Sequence, residues 1–177
     1  MKPLIALTLA ATLGFAARAA DSAGTTEVRT KETSGRTYLC LKKEIKFAEM
    51  KDFAVEAITE LFQKATDLKL GQGGPVMFTY FNFMGDPEQK FTAEIALPIL
   101  KKEAEQLGGA YIRQTTKSKC ASAIYQGSLA NLGEAWHAFA QTAMSKGEFT
   151  GESRELYLYF ESAESPNNIV ELQMGLK

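Results

Sequence analysis

The sequence predicts an α+β fold: two pseudo-symmetric β-α-β-β modules forming one antiparallel sheet with two long helices. Three observations predict it. Two segments carry apolar residues at helical spacing. Each is preceded by one strand-like run and followed by two more. The closing pair of runs is joined in each case by a short turn, "MGDPEQ" in the first half and "AESPNN" in the second.

In the first half, "TYLCLKKEI" (37–45) alternates Leu39, Leu41 and Ile45 as a strand. The next segment places Met50, Ala54, Ala57, Ile58, Leu61, Ala65 and Leu68 on one helical stripe. Lys51, Glu56, Glu60 and Lys64 lie mostly opposite, and Gly71, Gly73 and Gly74 stop the helix. "PVMFTYFNF" and "KFTAEIALPI" then read as a strand pair. In the second half, "SKCASAIYQG" is the first strand. The helix "SLANLGEAWHAFAQTAMSKG" carries Leu129, Leu132, Trp136, Phe139 and Ala143 on its stripe. Asn131 and Glu134 have the spacing of a capping box, and Gly147 closes the helix. "SRELYLYFES" and "IVELQMGL" are the closing strands. "FTYFNF" aligns with "YLYFES" and "TAEIALP" with "IVELQMG", so Glu94 matches Glu171 and Val76 takes the place of Glu155. The connection "LKKEAEQLGGAYIRQTTKS" is expected to hold a short helical turn and an extra strand at 110–115.

The start of the chain has a different character. "MKPLIALTLAATLGFAARAAD" has a basic residue, Lys2, then an apolar run, then Ala17-Arg18-Ala19. That is the pattern of a secretory signal peptide over residues 1–19, too short for a secure membrane span. It implies a periplasmic or secreted protein with no stable membrane insertion. Residues 20–35 are polar and aperiodic and are expected to be a flexible lead-in, which leaves 36–177 as one domain. A net charge of -1 offers no electrostatic case for a nucleic-acid partner.

Cys40 and Cys120 sit near the same place in the first strand of each half. In an oxidising compartment they either remain thiols or pair. If the two strands adjoin, a disulfide staples the halves and contributes about 4–5 kcal/mol in the chain-entropy model. His137 is the only histidine and has no partner at ligand spacing, so a metal site is not expected. No motif calls for a cofactor. Glu94 and Glu171 form a matched carboxylate pair of the kind that divides acid and base work, but are expected to be exposed strand residues.

The candidate site centres on "SRELYLYFES". Alternation puts Glu155, Tyr157 and Tyr159 on one face, and the internal match puts Phe78 and Tyr80 on the equivalent face of the other half. Glu155 is either a solvent-facing residue or the charged floor of an aromatic pocket. Trp136 suits the core and is kept as a lining residue. Tyr125, just before Gly127, is placed at the pocket mouth.

The ordered series, with "YQG" before the second helix, "RELYLYF" after it and "VELQMGL" at the end, resembles the GyrI-like small-molecule-binding domain over 36–177. The same domain is the effector-binding half of several bacterial transcription activators. The resemblance implies a central cleft at the pseudo-dyad and, for members of the multidrug-sensing kind, a lipophilic and often cationic ligand held against a buried Glu walled by aromatics. The Glu of the family's E-x-Y strand falls on Glu155, with Tyr157 following. Tyr125-Gln126-Gly127 replaces the family's usual His before Gly. The function expected is therefore an exported protein that binds a small lipophilic molecule through Glu155, Tyr157, Tyr80, Phe78, Trp136 and Tyr125. The alternatives are a hydrolase of reactive electrophiles in which Glu155 orients water, and an envelope protein-interaction module.

Overall fold

The computed structural model describes residues 24–83, 85–105 and 107–177. The signal-peptide assignment to 1–19 lies outside them. The chain runs β1 (Arg29–Thr33), β2 (Thr37–Ile45), α1 (Met50–Asp67), β3 (Met77–Phe81), β4 (Phe91–Pro98), β5 (Tyr111–Gln114), β6 (Ser118–Gln126), α2 (Leu132–Ala143), β7 (Phe149–Tyr159) and β8 (Ile169–Leu176). Two β-α-β-β modules are therefore present, in one antiparallel sheet ordered β1-β6-β8-β7-β3-β4-β2-β5. The α+β class and the modular repeat are as the sequence predicts.

The two ends of that strand order are tied together. β1 runs into β2 through residues 34–36, and β5 into β6 through 115–117. Both ladders share one register, from Arg29↔Ser122 and Thr33↔Ser118 to Thr37↔Gln114 and Cys40↔Tyr111. The Thr115 N–H donates to the Arg36 carbonyl at 2.8 Å across the gap. The segments 29–45 and 111–126 thus pair as two long strands, and the sheet closes into a ring of six. A side-chain contact confirms the closure. Arg113 on β5 lies 3.5 Å from Glu152 on β7, although a flat sheet would separate those strands by four spacings, about 19 Å.

Residues 20–23 of the expected flexible lead-in lie outside the described residues, and closure corrects that reading for the rest, because Arg29–Thr33 is an edge strand paired along its length with β6. The expected helical turn after β4 does not form among the described residues, whereas the extra strand does, as β5. The disulfide is also overturned: Cys40 and Cys120 are both free and buried. Cys120 faces Lys31 and Cys40 faces Tyr111 on the same pair of long strands. The offset from Lys31 to Cys40 along one strand is on the order of 30 Å, against the ~7 Å Cα limit of a disulfide.

α1 ends in a Schellman turn earlier than its glycines suggest. The Leu70 N–H reaches the Ala65 carbonyl at 2.9 Å and the Lys69 N–H reaches Thr66 at 3.1 Å, with Lys69 at φ 51°. At α2, Asn131 makes no side-chain cap. Ser128 instead caps the preceding 3-10 turn by accepting from the Ala130 N–H at 3.2 Å. Each helix packs on the outer strands of its own module, α1 on β2 and β4, α2 on β6 and β8. Leu61, Leu39 and Ile95 anchor the first interface, and Phe139, Val170 and Leu172 the second. Each such buried side chain contributes about 1.5–3 kcal/mol. The central strands β3 and β7 are left without a helix of their own.

The opposite face of the sheet turns into the ring. Glu94 is 1% exposed there and Glu171 7%, which corrects the expectation that both are exposed. Arg113 pairs with Glu94 at 2.7 Å, and the Tyr111 hydroxyl donates to the same carboxylate. Arg154 bonds Glu152 at 2.8 Å, while Lys31 and Ser122 hold Glu171. The matched carboxylates are thus committed to separate ion pairs inside the fold and do not form an acid–base pair. Removing the cation next to Glu94 leaves a buried charge without a counterion. Arg113→Ala is expected to lower the unfolding free energy by about 3–5 kcal/mol, measured by denaturant titration. Arg113→Ala with Glu94→Gln should recover part of that loss.

Candidate functional site: a carboxylate at the centre of an aromatic cavity

Because α1 and α2 cover the outer strands, a cavity of about 1860 Å³ lies between them. Its floor is β3 and β7, through Phe78, Tyr80, Ser153, Glu155 and Tyr157. In the β3–β7 ladder Phe78 stands opposite Glu155. Tyr80 and Tyr157 each lie two residues further along their own antiparallel strands, so they flank this pair from opposite ends. The structural counterpart of Glu155 across the pseudo-dyad is therefore Phe78, not the Val76 of the sequence alignment. The alignment slipped because its repeated aromatics fit two registers two residues apart.

Glu155 is 4% exposed. Its Oε2 accepts from the Tyr80 and Tyr157 hydroxyls, each at 2.8 Å, and its Oε1 accepts from Trp136 Nε1 at 2.5 Å. Of the two readings of this residue, the pocket floor is the one that forms. Among the described residues no basic side chain pairs with it. Three neutral donors stabilise the carboxylate but do not cancel its charge. Burial pushes its pKa up, and the bonds from Trp136, Tyr80 and Tyr157 offset this only in part. The pKa values of Tyr80 and Tyr157 are raised too, by burial and then by the adjacent carboxylate, so both remain donors.

Trp136 serves both the core and the cavity. Its ring packs edge-on against Phe139 at 5.4 Å, in the α2 core, while its N–H reaches the cavity floor. Phe78 lies against Tyr157, ring centroids 4.6 Å apart. Two expectations are corrected. Tyr125 does not line the cavity: it is buried with Ala121, Leu132 and Val170, and its hydroxyl donates to the Ser128 carbonyl at 2.6 Å. Gly127 permits this, since a Cβ there would lie 2.5 Å from that hydroxyl. Tyr159 does not join Tyr157 on the cavity face either. A β-bulge between Tyr157 and Tyr159 breaks the alternation, and Leu158 and Phe160 line the cavity instead.

Residues that the sequence reading missed include Phe47, Phe83 and Phe160. Phe47 stands on the 3-10 turn before α1, stacked on Phe83 at 5.8 Å. Each lies where a turn or bulge breaks periodicity, so alternation gave no signal for it. His137 is exposed at the cavity edge and bonds Gln141 at 3.0 Å. Among the described residues no cluster of His, Cys, Asp or Glu is arranged to hold a metal ion. No helix among them is long and apolar enough to cross a membrane.

The model of the GyrI-like small molecule binding domain matches residues 26–177. The chain belongs to this family. Its match begins before β1, in agreement with that strand being part of the domain. Solved structures share the GyrI-like fold at low identity. The C-terminal domain of EcmrR aligns with TM-score 0.70 at 16% identity, over 85% of this chain and 97% of that one. SAV2435, solved with tetraphenylphosphonium bound, aligns with TM-score 0.61 at 14% identity, over 86% and 94%. A structure described as a hydrolase from Listeria innocua aligns with TM-score 0.61 at 9% identity, over 84% and 90%. A search of curated protein sequences returns no match.

The burial of Glu155 in this GyrI-like cavity has a pH consequence. Its folded pKa lies above the unfolded value, so the folded state binds the proton more tightly. Its contribution to stability is full below the unfolded pKa and is lost as pH rises through the raised folded pKa. The difference in unfolding free energy between wild type and Glu155→Gln should therefore fall with rising pH across that window. The same proton should modulate the emission of Trp136, the only tryptophan, and this titration should vanish in Glu155→Gln.

Proposed function

We propose that the cavity binds small lipophilic cations, with Glu155 as the counter-charge and Tyr80, Tyr157, Phe78 and Trp136 as its aromatic surround. One observation carries this reading. A carboxylate 4% exposed holds three hydrogen bonds from neutral donors and has no cationic partner among the described residues. A buried charge in that condition is costly, and a cation entering from the cavity supplies what is missing. The surrounding rings add about 0.5–2 kcal/mol through their quadrupoles. The tetraphenylphosphonium bound to SAV2435 supports the choice of ligand class, and recognition by shape, charge and aromatic contact suits binding of several drugs by one site.

Glu155 as a hydrolytic base has less support. Oε2 already accepts from two hydroxyls, so a water could be held only through the acceptor site that Trp136 leaves on Oε1. A binding protein is favoured over a hydrolase, and over a protein-interaction module. Titration with tetraphenylphosphonium, followed by calorimetry and Trp136 emission, is expected to show saturable binding. Glu155→Gln should weaken it by about tenfold or more. Equal affinity in the two proteins would remove Glu155 from the account.

The leader pattern in residues 1–19 supports export, so that the protein acts as a periplasmic or secreted binder. Intact mass of the protein from the periplasmic fraction should begin at Ala20. Protein retaining residues 1–19 and confined to the cytoplasm would refute export.

A further inference from the structure

We propose that the cavity is two-armed and selects cations whose charge sits between two aromatic groups. This rests on the cation-binding reading and specifies the ligand it implies. The pseudo-dyad runs through the Phe78–Glu155 pair, so the single carboxylate stands at the centre of the cavity. Aromatic residues leave it in both directions with the same spacing. On the β3 side, Tyr80 is followed three residues later by Phe83, ring centroids 6.5 Å apart. On the β7 side, Tyr157 is followed three residues later by Phe160, centroids 6.4 Å apart. Both phenylalanines line the cavity.

A regular strand would turn the third residue to the opposite face. Each half defeats that rule locally. After Tyr80 the backbone turns at Asn82, φ 56°, whose N–H donates to the Gly151 carbonyl at 2.7 Å. After Tyr157 the β-bulge does the same. Two different irregularities thus deliver equivalent rings to equivalent places. The rings reach the mouth: Phe160 is 55% exposed, and Phe47, which extends the first arm by stacking on Phe83, is 50% exposed. A ligand with an aromatic group in each arm covers this apolar surface while its cation meets Glu155. The volume, about 1860 Å³, is above the ~300–1,000 Å³ of ordinary ligand pockets and leaves room for both arms. The arms are unequal. Leu129 opens the 3-10 turn before α2 as Phe47 opens the one before α1, and both line the cavity. The first arm therefore offers the larger aromatic surface.

Two isomeric quaternary cations test this. Dibenzyldimethylammonium carries one ring on each side of its charge, whereas (biphenylmethyl)trimethylammonium carries both rings on one side. Composition and charge are the same. By calorimetry at fixed ionic strength, the centre-charged isomer should bind about tenfold more tightly. Phe83→Ala and Phe160→Ala should each weaken it by about three- to tenfold, with Glu155→Gln weakening both isomers. The half-exposed Phe160 makes its alanine variant safe for folding. Equal affinities, or tighter binding of the biphenyl isomer, would overturn the two-armed site and leave cation binding standing. Binding of neither isomer, nor of tetraphenylphosphonium, would remove the cation reading and the arms with it.

Discussion

The antiparallel pairing of 29–45 with 111–126 is the constraint on which the rest of the structure depends. It is one ladder made by four strands, and it joins the first strand of each module to the other. Without it the two modules would form an open sheet with long edges at both ends. With it the face turned away from the helices becomes an interior. Glu94 and Glu171 can be buried there because Arg113 from β5 and Lys31 from β1 are brought to meet them, while the half-buried Glu152 is held by Arg154 of its own strand and by Arg113. A buried ionic network of this kind favours one closure geometry, since any slip in register would strand a charge.

Closure also decides where the cavity lies. Each helix packs on the outer strands of its module, and the ring keeps the two helices on opposite sides of the central β3–β7 pair. The uncovered strip between them is the floor of the site. Its features follow from pseudo-symmetry and its breaking. Tyr80 and Tyr157 are equivalent and both serve the same carboxylate. Phe78 and Glu155 are equivalent in place and different in chemistry. One charge on the dyad, rather than two facing each other, avoids the repulsion of paired buried carboxylates and leaves a single attraction for a ligand.

Much of this was legible in the sequence, for reasons that differ by element. The helices were readable because their apolar stripes are long. Strands β2, β3, β4, β6, β7 and β8 were readable because they alternate or are uniformly apolar between turns. Glu155 was noticeable as a carboxylate in an aromatic strand, and Phe78, Tyr80, Tyr157 and Trp136 all reach the cavity. β1 was missed because "RTKET" is a polar edge strand whose only structural signal is its partner. Tyr125 was misplaced because a glycine two residues on lets its ring fold back into the core. Phe83 and Phe160 were missed because a turn and a bulge invert the face that alternation assigns them.

The α+β class, the order of the elements within each module and the modular repeat are written in the local sequence, where Glu155 stands out as a carboxylate in an aromatic strand. These rest on local periodicity, which is a property of neighbouring residues. Only the tertiary structure decided that the sheet closes, that the cysteines stay apart, that Glu94 and Glu171 are buried ion-pair members, and that Phe78 is the partner of Glu155. Those outcomes depend on register between strands far apart in the chain. A shift of two residues preserves every local pattern while changing which side chains meet.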